Sequence, residues 1–202
     1  MNVLRILAKA SRLWWKEWIG MILLNILWVV LQVPIVTGPP ATAVLYAITR
    51  KVHDEETWEM QDLWLEMRRL FWPAWRWALP NLLVGGALVW NFYAFQAATG
   101  WAWGGLRLVW GTLLLLWFLL NFFYWPFWLA QAEKSVWVTY ANSGRFLLRH
   151  PWSGLLLGAT AVLVLALSVR LVLPLSAGAV CWLALVGVTA VSHSLAHAKH
   201  EV

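Results

Sequence analysis

The sequence predicts an all-α, polytopic helical membrane protein with about five full transmembrane helices. A short return helix after a Pro/Gly knot and two cytoplasmic amphipathic helices complete the expected fold. Three observations carry this. Of 202 residues, 62% are hydrophobic and 12% charged, so most of the surface faces something other than water. The windows 77–98, 108–132, 151–169 and 171–195 contain no Lys, Arg, Asp or Glu, and each approaches or exceeds the ~20 helical residues that cross a bilayer. Finally, the uncharged run 19–36 meets a knot at 34–40 that no helix crosses unbroken, and a second apolar run ends at Arg50 and Lys51.

Residues 1–18 carry Arg5, Lys9, Arg12 and Lys16 at spacings of three and four, one face of a helix lying on the membrane surface. The following apolar run is too long for a signal-peptide core, so cleavage is not expected. Residues 19–51 form a helical hairpin, with Pro34, Thr37, Gly38, Pro39, Pro40 and Thr42 as the structural knot. If the hairpin returns to its starting side, 13 of the 15 basic residues share one face, leaving only Arg107 and Arg170 elsewhere. By the positive-inside tendency that face is cytoplasmic, and so are both termini. The return limb is short, so it spans incompletely or thins the bilayer locally. Broken helices at membrane depth line sites in transporters, and they also serve as buried turns.

Residues 52–76 form the first cytoplasmic amphipathic segment. Asp54 is positioned to cap it, Glu55 and Glu56 follow, and Glu59, Asp62, Glu66 and Arg69 form a stripe opposite Met60, Leu63, Trp64, Met67 and Leu70. Anionic lipid repels an acidic stripe, which makes these four residues the expected partner-docking face. Pro73 and Pro80 introduce two spans over 77–132, in which Asn81, Asn91 and Asn121 are packing and hydrogen-bonding devices. Residues 133–150 form the second amphipathic segment. Two further spans occupy 151–197, with Gly154 and Gly158 as a close-packing face and a turn near 170–178 on the outer side, and 198–202 form a tail. All of these belong to one domain, 1–202.

No catalytic residues are found, and neither an enzyme nor a cofactor is indicated: phosphate loops, nucleophile motifs and buried carboxylate pairs are absent. His193, His197 and His200 share a helix face, a spacing that permits a metal or haem ligand, although no Cys or carboxylate joins them. Cys181 is alone, so it pairs with nothing within the chain. The net charge of +6 marks the cytoplasmic leaflet rather than nucleic acid. Of the nineteen Trp, many flank the spans as interfacial anchors. The bilayer is thus the first partner, and a homo-oligomer is compatible with it.

Asn25, then Pro34-Ile35-Val36-Thr37, Ala41-Thr42-Ala43 with Tyr46, and Asp54-Glu55-Glu56 opening an amphipathic helix together resemble the YesL-like family of bacterial integral membrane proteins, a domain of unknown function. The resemblance is clearest over 19–81. Members tend to be encoded beside carbohydrate ABC-transporter components, so the resemblance implies a non-catalytic accessory or assembly subunit in the bacterial cell (plasma) membrane, with ABC-transporter subunits as partners. Two other expectations stand beside it. One is an independent small-solute transporter or channel with its site at the knot; the other is a helical subunit of a redox or pigment complex.

Overall fold

The computed structural model describes residues 2–171 and 178–200, with side chains up to Ala196. Among them the chain is helical, without a strand. The first helix, α1 (Val3–Lys16), is capped by the Asn2 side chain, which accepts from Arg5 N at 3.3 Å. It buries Ile6, Ala10 and Leu13, one stripe at helical spacing, and turns its four basic side chains outward. The next helix, α2 (Trp18–Gln32), is apolar nearly all round. An amphipathic helix and an apolar one do not suit the same surroundings along one axis, and the chain bends by 93° between them.

After the knot, α3 (Gly38–His53) returns antiparallel to α2 and becomes the centre of the fold. Expected as a short return limb, it is packed by α1, α2 and the later helices, and it buries ten of its 16 residues. Its small residues explain this: Ala43 and Ala47 let Leu70, Ala74 and Trp125 pack against its backbone in one buried cluster. At its far end it meets α4 (Met60–Pro80), which runs back alongside it.

The helix runs on across the expected boundary between the amphipathic segment 52–76 and the span from 77. α4 passes through Pro73 and Pro80 into one π-helical turn (Asn81–Gly85) and directly into α5 (Gly86–Ala94). Pro80 has no N–H for the Arg76 carbonyl, and the ladder shifts register at that point rather than stopping. Gly100, at φ 111°, opens the return into α6 (Trp101–Ala130). The Arg107 guanidinium clasps this turn by donating to the Gln96 carbonyl at 3.0 Å and the Ala98 carbonyl at 3.3 Å. The remaining helices are α7 (Val136–Arg149), α8 (Pro151–Leu171) and α9 (Ala179–His200).

The glycine face of α8 packs as expected: Gly154 faces Leu147, and Gly158 receives Leu119 so closely that a Cβ would collide with its Cδ2. The start of α9 is a correction. The expected topology put the turn before it on the membrane face opposite α1. Trp14 Nε1 donates to the Gly178 carbonyl at 3.3 Å, and Trp182 Nε1 donates to Ser11 Oγ at 3.1 Å, so the two lie side by side.

Three helices are long and apolar enough to cross a membrane: Trp101–Ala130, Pro151–Leu171 and Ala179–Ala196. The bent pair α1–α2 would make a fourth. The expected spans 19–36 and 77–98 fall on the 15-residue α2 and on the continuous end of α4, π turn and nine-residue α5. Packing is concentrated at one end of the α4–α5–α6 hairpin. α5 buries no residue, and α6 none before Leu119.

Candidate functional site at the helical knot

The knot is assembled from residues that free the backbone and then re-tie it. Ile35 adopts φ 41°, the left-handed region, so the turn sits at a strained position for a β-branched residue. Pro39 and Pro40 fall in the first turn of α3, where missing N–H groups lose no helical bond. Thr37 Oγ1 donates to the Leu31 carbonyl at 2.6 Å. Thr42 Oγ1 donates to the Gly38 carbonyl at 3.2 Å and accepts from Trp28 Nε1 at 3.0 Å. Gln32 Nε2 reaches the same carbonyl at 3.4 Å. Of the six expected knot residues, Thr37, Gly38 and Thr42 make these polar contacts, while the prolines set the backbone.

From outside the hairpin, Trp75 of α4 donates Nε1 to the Val36 carbonyl at 3.2 Å. This pins the depth of the knot. The helical run from Trp75 to Phe95 rises about 30 Å at ~1.5 Å per residue, so the knot and the α5–α6 turn lie about a hydrocarbon thickness apart. The α2–α3 hairpin therefore does not reach the level of that turn.

A recess of about 350 Å³ opens beside the knot, lined by Gln32, Gly38, Thr42, Trp75, Trp77 and Asn81, among others. Behind it lies a polar node joining three helices. Asn121 Oδ1 accepts from Trp77 Nε1 at 2.8 Å and from Tyr140 OH at 3.0 Å, and Asn81 Nδ2 donates to the Tyr140 oxygen at 3.3 Å. The expectation that Asn81 and Asn121 serve as hydrogen-bonding devices matches this geometry. Tyr140, Trp75 and Gln32 were not singled out in the sequence, because each reads locally as one more interfacial or helix-end side chain. The recess offers indole rings, two amides and a hydroxyl, and among the described residues no ionisable side chain lines it; it is equipped for a neutral, hydrogen-bonding solute rather than for proton transfer.

The acidic stripe is arranged differently from the expected docking face. Glu59 and Asp62 form a capping box at the start of α4, with Glu59 N donating to Asp62 Oδ2 at 2.9 Å. Asp62 Oδ1 also pairs with Lys51 at 3.0 Å. Its carboxyl is held below the usual range by the Glu59 N–H and Lys51. Glu66 is half-buried and pairs with Arg69 at 2.6 Å, leaving Arg69 exposed. What α4 turns outward is Met60, Trp64, Leu65, Arg68 and Trp72, with the Arg68 guanidinium 4.6 Å from the Trp64 ring centre. The physical reason is that Lys51, near the end of α3, draws Asp62 inward.

A charged collar closes the base of α3. Burial pushes the His53 imidazole below its usual pKa, so it is neutral near pH 7. It then donates Nδ1–H to Asp54 Oδ1 at 2.9 Å and accepts from the Lys9 ammonium at Nε2 at 3.1 Å. Asp54 also takes Arg50 Nε at 2.7 Å. Burial would raise its pKa, but the bonds from Arg50 and His53 outweigh this and hold it low. Lys16 and Glu55 add a pair at 3.2 Å. These contacts fasten α1 to the end of α3.

His197 and His200, expected to share a face with His193, have side chains outside the described residues. Among the described residues no three His, Cys, Asp or Glu side chains converge to hold a metal. Cys181 is buried and unpaired within α9.

A helical chain with three helices able to cross a membrane, organised around an internal hairpin and its knot, is the class of protein the geometry defines. Residues 21–92 match the family described as "Protein of unknown function, DUF624". The match runs from α2 through most of α5 and so contains the knot, α3 and α4. No curated protein and no solved structure matches the chain.

Proposed function

We propose that this is a YesL-like bacterial protein of the cell membrane, multi-pass with the N-terminus cytoplasmic. In this reading it serves as a non-catalytic accessory or assembly subunit of a carbohydrate ABC transporter. The resemblance over 19–81 and the family match over 21–92 support the naming. The observation that carries the docking role is the outward face of α4, where Trp64 is 58% and Trp72 70% exposed beside Met60 and Leu65. A contiguous face of large apolar side chains in a cytoplasmic segment is a contact surface. Arg68 and Arg69 add charge that an acidic patch on a transporter subunit complements. Asp62 and Glu66 hold this face in place rather than forming it, and Glu59 and Arg69 border it. The test is a mild-detergent pull-down at native expression level, with Trp64→Glu/Leu65→Glu as the variant. The proposal expects transporter subunits, identified by mass spectrometry, with wild type and their loss with the variant. Recovery of the chain alone as a stable homo-oligomer contradicts it.

A second reading, a small-solute transporter or channel, is favoured by the recess of about 350 Å³ beside the knot. Uptake of a neutral solute by proteoliposomes containing this chain alone would support it. Loss of that uptake in Thr42→Val would place the site at the knot.

A further inference from the structure

Where α6, α7 and the end of α9 converge, a second recess of about 320 Å³ opens. That volume is at the lower end of small-molecule sites. Its apolar floor includes Phe127 and Phe146, packed edge to face at 5.9 Å. Its polar rim is Gln131, Asn142, Arg145, Arg149 and Ser194, and among the described residues no carboxylate lines it.

The two arginines are four apart on α7, so they stand one turn apart on the same face. Arg145 is held by neutral groups. Gln131 Nε2 donates to Thr139 Oγ1 at 2.6 Å, and Asn142 Nδ2 donates to Gln131 Oε1 at 3.1 Å. Asn142 Oδ1 then accepts Arg145 Nη1 at 3.3 Å. The relay orients Arg145 without neutralising it, and the rest of its guanidinium fork stays available. No ion pair to Arg149 is present among the described residues. One feature would oppose an anion here, the negative end of the α6 dipole. Lys134 offsets it, donating to the Trp128 carbonyl at 2.7 Å and the Gln131 carbonyl at 2.6 Å.

We infer that this recess binds a phosphate group through Arg145 and Arg149, with Ser194 donating from α9. Two guanidinium forks one turn apart recognise phosphate oxygens by paired charge-assisted bonds. The aromatic floor accommodates the carbon skeleton attached to that phosphate. The bearer is an anionic phospholipid headgroup or a soluble phosphate ester; both present the same chemistry.

The experiment uses the full chain with two probes. Native mass spectrometry from phosphatidylcholine nanodiscs doped with phosphatidylglycerol reads the lipid source. Calorimetry with glycerol 3-phosphate in detergent reads the soluble source. Arg145→Gln/Arg149→Gln is compared with Arg5→Gln/Arg170→Gln, which removes the same charge elsewhere. Retention of phosphatidylglycerol assigns the lipid source, and binding of glycerol 3-phosphate the soluble one. In either case the recess double variant is expected to lose roughly tenfold or more in affinity, and the control less than about twofold. Should the recess double variant not fold, Ser194→Asp sets a carboxylate opposite the arginines without altering α7, and the same loss is expected. Binding of neither probe, equal loss in both double variants, or unchanged affinity in Ser194→Asp overturns the inference.

Discussion

Asn25, in the middle of the apolar α2, accepts a hydrogen bond from the Val180 backbone N–H at 3.1 Å, and its oxygen also lies 3.4 Å from Cys181 N. These are orphan donors of the first turn of α9, and a fully buried amide from another helix satisfies them. Asn25 is thus a cap supplied across the bundle, 155 residues away in sequence. Asn25→Leu leaves those N–H groups without this partner in an apolar setting. It should lower stability by about 1–3 kcal/mol, read by thermal unfolding in detergent. A loss below about 0.5 kcal/mol would show that the cap is dispensable.

At the knot, Trp28 Nε1 and Thr42 Oγ1 tie the two limbs of the hairpin. Trp28→Phe keeps most of the ring and removes the donor. The expected cost is about 0.5–1.5 kcal/mol, and Thr42→Val should cost a similar amount. If the bond is real the double variant is sub-additive; strict additivity in that cycle contradicts it.

The collar at the base of α3 makes stability depend on pH. The folded protein holds His53 below its ordinary pKa of 6.5, so below that value the unfolded chain binds the additional proton. The stabilisation is present above about pH 6.5 and is lost as pH falls through the lowered native value. Protonation would also set an Nε2–H against the Lys9 ammonium, while Asp54 favours the charged ring and Arg50 opposes it. Wild type should lose thermal stability between about pH 7.5 and 5, and His53→Gln should flatten that slope. Equal slopes in the two proteins would exclude His53 as the source.

On α8, Gly158→Val forces a side chain into the space of Leu119, which is buried on α6. Overpacking of this kind costs about 1–3 kcal/mol. Gly86→Ala, whose Cβ would meet nothing within 4 Å, should be neutral or slightly stabilising in the same unfolding assay.

How much of this was legible in the sequence follows from the range of each signal. The basic and apolar stripes of α1, the proline-bearing start of α3 and the Gly154–Gly158 face all come from short spacings, and each appears in the structure. Pro73 and Pro80 introduce a span in the sequence, and the helix runs through both. A single π turn absorbed the register change, which depends on the helices packed around it. The acidic stripe of α4 was visible, but its direction was not. Lys51 on α3 draws Asp62 inward, and that antiparallel pairing has no local signature. For the same reason Asn25 is legible in the sequence only as part of the family resemblance and not as a helix cap. Its partners, like the Trp14–Gly178 contact, lie at the far end of the chain.

The central claim is that the outward face of α4 meets a transporter subunit. It is tested most directly by site-specific photo-crosslinking in living cells, with a benzophenone amino acid at position 64 and, as control, at buried position 63. The account predicts crosslinks from position 64 to subunits of a carbohydrate ABC transporter, and none from position 63. Crosslinks from position 64 only to lipid or to other copies of this chain would contradict it.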